Sequence, residues 1–315
     1  MSTTNPPTQH QKALPAPLTG RYELLQTPAG PVAVYASQPQ TIDSVSRKTP
    51  VLLIHSVNAA ACAFEVLPLY DHYCQSRPTY ALDLPGYGLA GRSDRTYTIR
   101  LMTDAVLAVL AHIRGRHGGV AVDVVAVSLS CEFAARAACE APDTVRRLAL
   151  VSPTGFSGNK QFYGAPGSSR GIDWLHAVFS NRRWSGGLFN ALTRPAVIRY
   201  FLQRTWGSKN IDEALWRYCV LTTRQLGAKH APLYFLSAHL FAADINTLYE
   251  KLTCPVWVSM ATRGDFTNYR GRTTVAHKAN WQFFLMQGGA LPYFEDLAAF
   301  TARSDAFLDD ATSQD

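Results

Sequence analysis

Residues 124–133, VVAVSLSCEF, place a serine where a run of apolar, β-branched residues gives way to a helix-like pattern. The run predicts a buried strand that ends at Val127. A serine that projects from a sharp strand-to-helix turn is typical of a nucleophile, and small residues two positions away on each side let the turn close. Ala126 and Ser130 hold those positions. We therefore predict Ser128 as a nucleophile at such a turn; the alternative is a serine that only caps the helix.

Short apolar runs alternate with helical patterns along the chain. Eight runs predict strands: Tyr22–Leu25, Val32–Tyr35, Val51–Ile54, Thr79–Leu82, Val122–Val127, Arg147–Val151, Val256–Met260 and Trp281–Met286. Helices are predicted over residues 62–74, 102–113, 132–140 and Leu297–Leu308. A further helix is predicted after the strand Val256–Met260 and should end at Val275. This alternation predicts an α/β fold with a mostly parallel, doubly wound sheet of about eight strands. The hairpin around TPAGP at 27–31 should make the sheet mixed at one edge.

A mostly helical pattern fills residues 156–246 and follows the carboxyl end of a predicted strand. Open α/β sheets bind their ligands at that end of the strands. We therefore expect residues 156–246 to form an inserted helical cap over a core made of residues 21–155 and 247–312. Residues 1–20 are polar and Pro-rich, and we expect them to form a flexible tail.

The basic charge of the chain is concentrated in the expected cap. Residues 156–246 hold eleven Lys or Arg and four Asp or Glu, an excess equal to the formal charge of +7 for the whole chain. Three interpretations are open: a solvated basic face, a site for an anionic substrate or acidic partner, and a nucleic-acid surface. We expect no nucleic-acid partner, because the sequence has no recognised binding motif and no dense Lys/Arg cluster.

The composition suits one large globular unit of 315 residues, 47% of them hydrophobic. No apolar run approaches the roughly 20 residues of a membrane span, and the N-terminus does not resemble a signal peptide. The six cysteines are scattered without a CxxC pair, which predicts reduced thiols and a cytoplasmic location. Neither a phosphate-binding loop nor a metal-ligand spacing is present, so we expect no cofactor and no metal.

Five motifs occur in one order: IHSVNAA at 54–60, ALDLPGYGLAGRSDRTYT at 81–98, AVSLS at 126–130, RGDF at 263–266 and GGALPYFED at 288–296. On these motifs the chain resembles the α/β-hydrolase superfamily over about residues 20–310. The resemblance implies the α/β-hydrolase fold and a nucleophilic Ser128. A relative of the haloalkane dehalogenases or epoxide hydrolases would have an aspartate at that position.

The resemblance also implies an oxyanion hole, formed by the backbone N–H groups of Leu129 and Val57. Neighbouring residues of the second loop, Ser56 and Asn58, are then expected to contact a substrate together with His55. Most relatives have His-Gly where this chain has His55 and Ser56. His55 is usually the residue that orders this loop, and a direct catalytic role is the alternative.

The catalytic acid and base should follow the last two strands. Asp265 matches the acid position; the alternative is a loop aspartate that pairs with Arg263 or Arg270. Relatives typically read G-x-G-H-x-P-x-x-E after the last strand, and this chain has Ala290 where the histidine belongs. Alanine accepts no proton, and losing the histidine of a serine-protease triad costs on the order of 10⁶ in turnover.

Three explanations of Ala290 stay open. The first is an engineered change from histidine to alanine. The second is a different base, which comes from the cap or an adjacent loop. The third is a repurposed site that no longer hydrolyses esters. Candidate bases are His176, His230, His239 and His277.

These explanations leave two candidate functions. One is a divergent serine hydrolase that cleaves an ester, thioester or C–C bond of a small, possibly anionic, molecule. The other is a non-hydrolytic member that binds a small-molecule ligand or acts as a lyase or cyclase.

Overall fold

The computed structural model of the protein describes residues 14–37, 48–158 and 160–309. These residues form an eight-stranded sheet in the order β1-β2-β4-β3-β5-β6-β7-β8. β2 runs antiparallel to β1 and β4, and all other neighbouring strands are parallel, so the sheet is mixed at one edge, as predicted. The strands are β1 Arg21–Thr27, β2 Gly30–Ala36, β3 Val51–Ile54, β4 Thr79–Asp83, β5 Val122–Val127, β6 Val145–Val151, β7 Val256–Ala261 and β8 Trp281–Met286.

The central strands are buried on both faces. Every residue of β3 is buried, and its side chains alternate between two apolar cores. Leu52 and Ile54 belong to one core, whereas Val51 and Leu53 belong to the other. Continuous apolar runs are typical of parallel strands with helices on both faces. The predicted doubly wound α/β fold is confirmed.

Ten α-helices lie in the described part of the chain. They are α1 Leu67–Tyr73, α2 Ile99–Arg116, α3 Ser130–Glu140, α4 Asp173–Ser180, α5 Ser185–Leu192, α6 Pro195–Trp206, α7 Glu213–Thr223, α8 His230–Leu236, α9 Ile245–Lys251 and α10 Leu297–Asp309. Helices α2, α3 and α9 cover one face of the sheet, and α1 and α10 cover the other.

Two predicted helices differ in the structure. The helix predicted up to Val275 is only a 3₁₀ turn, Arg270–Thr274. Gly264 has a φ of +82°, and a Cβ there would lie 2.5 Å from the carbonyl oxygen of Arg204 at the end of α6, so the chain there is held in an irregular conformation. The helix predicted over 62–74 begins as a 3₁₀ turn, Ala63–Val66, and continues as α1.

The segment expected to be a tail is only partly described. Residues 1–13 lie outside the described residues, but Leu14 and Leu18 are buried. The hydroxyl of Tyr218 in α7 also donates a hydrogen bond to the carbonyl of Pro15 at 2.7 Å. The packed chain therefore begins before residue 20, and the predicted boundary is wrong for residues 14–20. Residues 310–312 of the expected core also lie outside the described residues.

Helices α4–α8 follow β6 and precede β7, and we call residues 156–246 the insertion. The insertion contacts loops at the carboxyl ends of the strands: Arg92 donates to the carbonyl of Thr222 at 2.8 Å, and the N–H of Ala290 donates to the carbonyl of Thr205 at 3.0 Å. It therefore lies at the ligand-binding edge of the sheet. Within the described residues, no helix has the length and apolarity needed to cross a bilayer.

Candidate active site

Ser128 occupies the sharp turn between β5 and α3. Its φ of 55° is left-handed, a conformation that costs a non-glycine residue roughly 1–2 kcal/mol. The N–H of Ser128 donates to the carbonyl of Val151 in β6 at 2.8 Å, which fixes the turn against the neighbouring strand. The residue is partly exposed. Ser128 thus has a strained backbone at the turn, and the start of α3 has no side-chain cap hydrogen bond.

The two residues that replace glycine around the turn fit without opening it. Ala126 and Ser130 are fully buried. The Ser130 hydroxyl folds back onto Val127, accepting from its N–H at 3.1 Å and donating to its carbonyl at 2.8 Å. Because the hydroxyl is satisfied by local backbone, a buried serine is tolerated where most relatives have glycine.

The backbone N–H groups of Leu129 and Val57 have no acceptor among the described residues. Both residues are almost fully buried. A buried donor without an acceptor costs about 1–3 kcal/mol, so such a pair is suited to a ligand oxygen or a water. The two donors follow the carboxyl ends of the adjacent strands β5 and β3.

His55 is fully buried beside these donors. Its Nε2 accepts the N–H of Leu84 at 3.0 Å, so Nδ1 carries the proton and donates to the carbonyl of Ser56. Both ring nitrogens are therefore used to hold the loop after β3. This geometry favours the structural role of His55 and leaves the ring no free nitrogen for a substrate.

Ser56 and Asn58 are held by the buried carboxylate of Glu65. The N–H of Ser56 donates to Glu65 Oε2 at 2.8 Å. Asn58 Nδ2 donates to Glu65 Oε1 at 3.1 Å and to the Ser56 hydroxyl at 2.9 Å. Sequence reasoning missed Glu65, because a single glutamate nine residues further along carries no local signal.

Asp265 forms a bidentate ion pair with Arg204 at the end of α6. Arg204 Nε lies 2.7 Å from Asp265 Oδ2, and Nη2 lies 2.8 Å from Oδ1. These hydrogen bonds raise the pKa of the Arg204 guanidinium. The pairing partner is thus neither Arg263 nor Arg270, the two alternatives considered from the sequence. Arg263 instead pairs with Glu295.

Ala290 is buried, and its backbone is held from two sides. Its N–H donates to the carbonyl of Thr205, and its carbonyl accepts from the Ser152 hydroxyl at 2.9 Å. A Cβ added to Gly289 would lie 2.5 Å from Cα of Trp206, so the end of α6 packs directly on this loop. The insertion therefore covers the loop after β8, where the resemblance predicts a catalytic histidine.

No histidine of the described residues forms a hydrogen bond with Ser128. Of the four candidate bases, His230 lies 3.4 Å from Asp94, and His239 bonds Asp173 and Ser237. The His176 ring lies against the ring of Tyr234, tilted by 40°, and His277 is exposed. The structure therefore brings Ser128, Leu129 and Val57 to one edge of the sheet. None of the four candidate histidines forms a hydrogen bond with Ser128 in the described residues.

Space between the core loops and the insertion is limited near the expected oxyanion hole. A void of about 10 Å³ lies among residues 59–61, 86–92 and 222–228, enough for about one water. A cavity of about 250 Å³ lies elsewhere, between the insertion and the loop before α2. Residues 14–37, 48–158 and 160–309 contain no group of three or more His, Cys, Asp or Glu arranged to hold a metal.

Comparison with known proteins was made on sequence and on structure. A search of curated proteins finds no match. A probable hydrolytic enzyme from Pseudomonas aeruginosa is 17% identical with a TM-score of 0.68, and the match covers 93% of this chain and 94% of that one. An enol-lactonase from Burkholderia xenovorans is 15% identical with a TM-score of 0.68, over 92% and 100% of the two chains.

A meta-cleavage product hydrolase from Pseudomonas fluorescens is 14% identical with a TM-score of 0.68, over 93% and 98% of the two chains. At these identities the structural likeness establishes the fold. The family model for the alpha/beta hydrolase family matches residues 51–304, which span β3 to α10 and include the Ser128 turn. The chain therefore belongs to the alpha/beta hydrolase family.

Proposed function

We propose that this protein is a non-hydrolytic member of the family, which binds a small molecule at the Ser128 edge of the sheet without cleaving it. One observation carries the proposal. The position of the general base is Ala290, whose N–H is bonded to the carbonyl of Thr205 in the insertion. Without a base, a serine hydroxyl is a poor nucleophile near neutral pH.

The pairing of Asp265 supports the same proposal. In a working triad the carboxylate orients the histidine and stabilises its charged form. Here both carboxylate oxygens are bonded to Arg204. Activity would need a histidine and also a free acid. The base is therefore missing and the predicted acid is engaged by Arg204, which favours a repurposed site over a single engineered exchange at Ala290.

Retained features of the site support a ligand. The N–H groups of Leu129 and Val57 lack acceptors among the described residues, so a carbonyl or carboxylate oxygen would satisfy them. Glu65 holds the loop of Ser56 and Asn58 in place, so this polar edge is pre-organised. A small molecule with an oxygen acceptor is the ligand class that these donors suit. Because the void nearby holds only about one water, such a ligand must displace side chains of the insertion to reach them.

A second candidate function is a divergent serine hydrolase that uses another base. The left-handed φ of Ser128 favours it, because this strain is typical of a working nucleophile. Its substrate would be an ester, a thioester or a compound with a cleavable C–C bond. An enol-lactone belongs in any substrate panel, because one structural neighbour is called an enol-lactonase.

Hydrolysis assays separate the two functions. The protein and its Ser128→Ala variant are incubated with p-nitrophenyl esters, acyl thioesters and an enol-lactone. We expect equal rates for both proteins, close to the rate without protein. A rate that Ser128→Ala abolishes would reject the non-hydrolytic proposal and establish the hydrolase.

A binding assay tests the positive half of the proposal. The same compounds and the corresponding acids are screened for an increase in the thermal unfolding midpoint. Each compound that stabilises the protein is then recovered and analysed by mass spectrometry. We expect a stabilising compound that is recovered unchanged, and conversion of that compound would contradict the proposal.

A further inference from the structure

A cavity of about 250 Å³ lies beside helices α4, α5 and α8 of the insertion and the loop before α2. Its volume is just below the roughly 300 Å³ at which small-molecule sites begin. The lining does not include Ser128, Val57, Leu129, Asp265 or Ala290. It is therefore a different place from the site described above, and an inference from it does not depend on the proposed function.

Two cations of the lining lack a carboxylate partner among the described residues. Arg182 forms no ion pair there, and Lys229 Nζ donates to the hydroxyl of Ser185 at 3.0 Å. The acid in the lining is Asp94, which is 76% exposed and lies 3.4 Å from His230. The positive charges are thus not neutralised within the cavity, and such a concave cationic surface attracts anions.

An aromatic wall adjoins these cations. The rings of His176 and Tyr234 lie 3.9 Å apart between centroids, and the neighbouring Leu233 is buried. Nε2 of His176 is buried without a hydrogen-bond partner in the described part of the chain. Burial lowers the pKa of His176, which favours the neutral ring in this wall. The wall suits a flat apolar body.

We propose that this cavity binds a small organic anion, a carboxylate or phosphate monoester that carries a flat apolar group. The anionic group lies against Arg182 and Lys229, and the flat group lies along Tyr234 and His176. Arginine matches both carboxylate and phosphate with paired hydrogen bonds, so the structure defines the charge and the shape of the ligand.

Calorimetric titration with benzoate, phenyl phosphate and uncharged benzyl alcohol tests the site. We expect benzoate or phenyl phosphate to bind at least about tenfold more tightly than benzyl alcohol, as charged hydrogen bonds do. The variant Arg182→Ala/Lys229→Ala should weaken that binding by about tenfold or more. The matched control Arg183→Ala/Lys209→Ala removes two exposed positive charges outside the lining and should bind as the unmodified protein does.

Three results would overturn the proposal. Benzyl alcohol could bind as well as the anions, or inorganic phosphate could bind as well as phenyl phosphate. The two double variants could also weaken binding equally, which would point to general surface charge. Ser128→Ala should not change the affinity. If Ser128→Ala abolished binding while Arg182→Ala/Lys229→Ala retained it, the ligand would lie at the Ser128 edge instead. Thermal unfolding of each variant establishes that it is folded.

Discussion

Arg204 and Asp265 join the end of α6 to the loop after β7 through two hydrogen bonds of 2.7 and 2.8 Å. The same loop is tied to the loop after β8, because the N–H groups of Thr262 and Arg263 donate to the carbonyl of Gly288. Ala290 lies two residues beyond. The insertion thus contacts both loops: Arg204 binds Asp265, the predicted acid, and the carbonyl of Thr205 accepts from the N–H of Ala290, at the predicted position of the base.

This pairing predicts how activity could be restored. Ala290→His alone should give little Ser128-dependent ester hydrolysis, because Asp265 stays bonded to Arg204. Ala290→His/Arg204→Ala should hydrolyse p-nitrophenyl acetate faster, on the order of tenfold or more, since an acid that orients the base contributes at least that much. Turnover rates at saturating substrate check the difference.

A neighbouring arginine supplies the control for that experiment. Arg199 lies on the same helix α6 and pairs with Glu213, away from the loops after β7 and β8. Ala290→His/Arg199→Ala should therefore resemble Ala290→His. Equal rates for all three histidine variants would mean that Asp265 does not act as the acid.

The strained backbone at Ser128 predicts that glycine at this position stabilises the protein. Glycine adopts a φ of 55° without the steric cost that a Cβ brings, so Ser128→Gly should raise the free energy of unfolding by about 0.5–1 kcal/mol. Ser128→Ala keeps the Cβ and should leave stability nearly unchanged. Urea denaturation measures both, and a destabilised Ser128→Gly would argue against strain at the turn.

The order of elements could be predicted because it depends on local patterns. The run at Val51–Ile54 is wholly apolar, as in a strand buried on both faces, and the other central strands show the same apolar pattern. Contacts between distant residues had no such signal. Arg204 and Asp265 are 61 positions apart, and Glu65 meets Ser56 only because β3 and the following turn bring them together. The role predicted for Asp265 stays a prediction.

Gly88 predicts a second stability effect, this time from crowding. A Cβ at Gly88 would lie 1.9 Å from Cγ of Asp83. That carboxylate is buried and accepts hydrogen bonds from Tyr35, Ala63 and Leu89, so it has no room to move. Gly88→Ala should lower the free energy of unfolding by about 3 kcal/mol, the upper end of what an overpacked core typically costs.

Gly115 is the matched control for Gly88. It lies within α2, and a Cβ there would meet nothing within 4 Å. Gly115→Ala should stabilise the protein by about 0.5–1 kcal/mol, because alanine favours a helix interior. Denaturant midpoints of the two variants should therefore move in opposite directions, and shifts of the same sign would contradict this account.

Glu132 predicts how strongly the insertion is held to the core. It is fully buried in α3, where its Oε1 accepts from Thr154 at 2.6 Å and from Arg170 at 3.1 Å. Oε2 accepts the N–H of Ala242 at 2.7 Å. Burial raises the pKa of Glu132 and the charge of Arg170 opposes that rise, so the carboxylate depends on these partners.

Glu132→Ala should lower the free energy of unfolding by about 3 kcal/mol, since it leaves the partly buried Arg170 and the buried N–H of Ala242 without their acceptor. Glu140 ends the same helix and pairs with Arg100 at the surface, so Glu140→Ala should cost less than about 1 kcal/mol. Chemical denaturation compares the two. If both variants lost the same small amount, the Glu132 network would not be what fastens Arg170 and Ala242 of the insertion to α3.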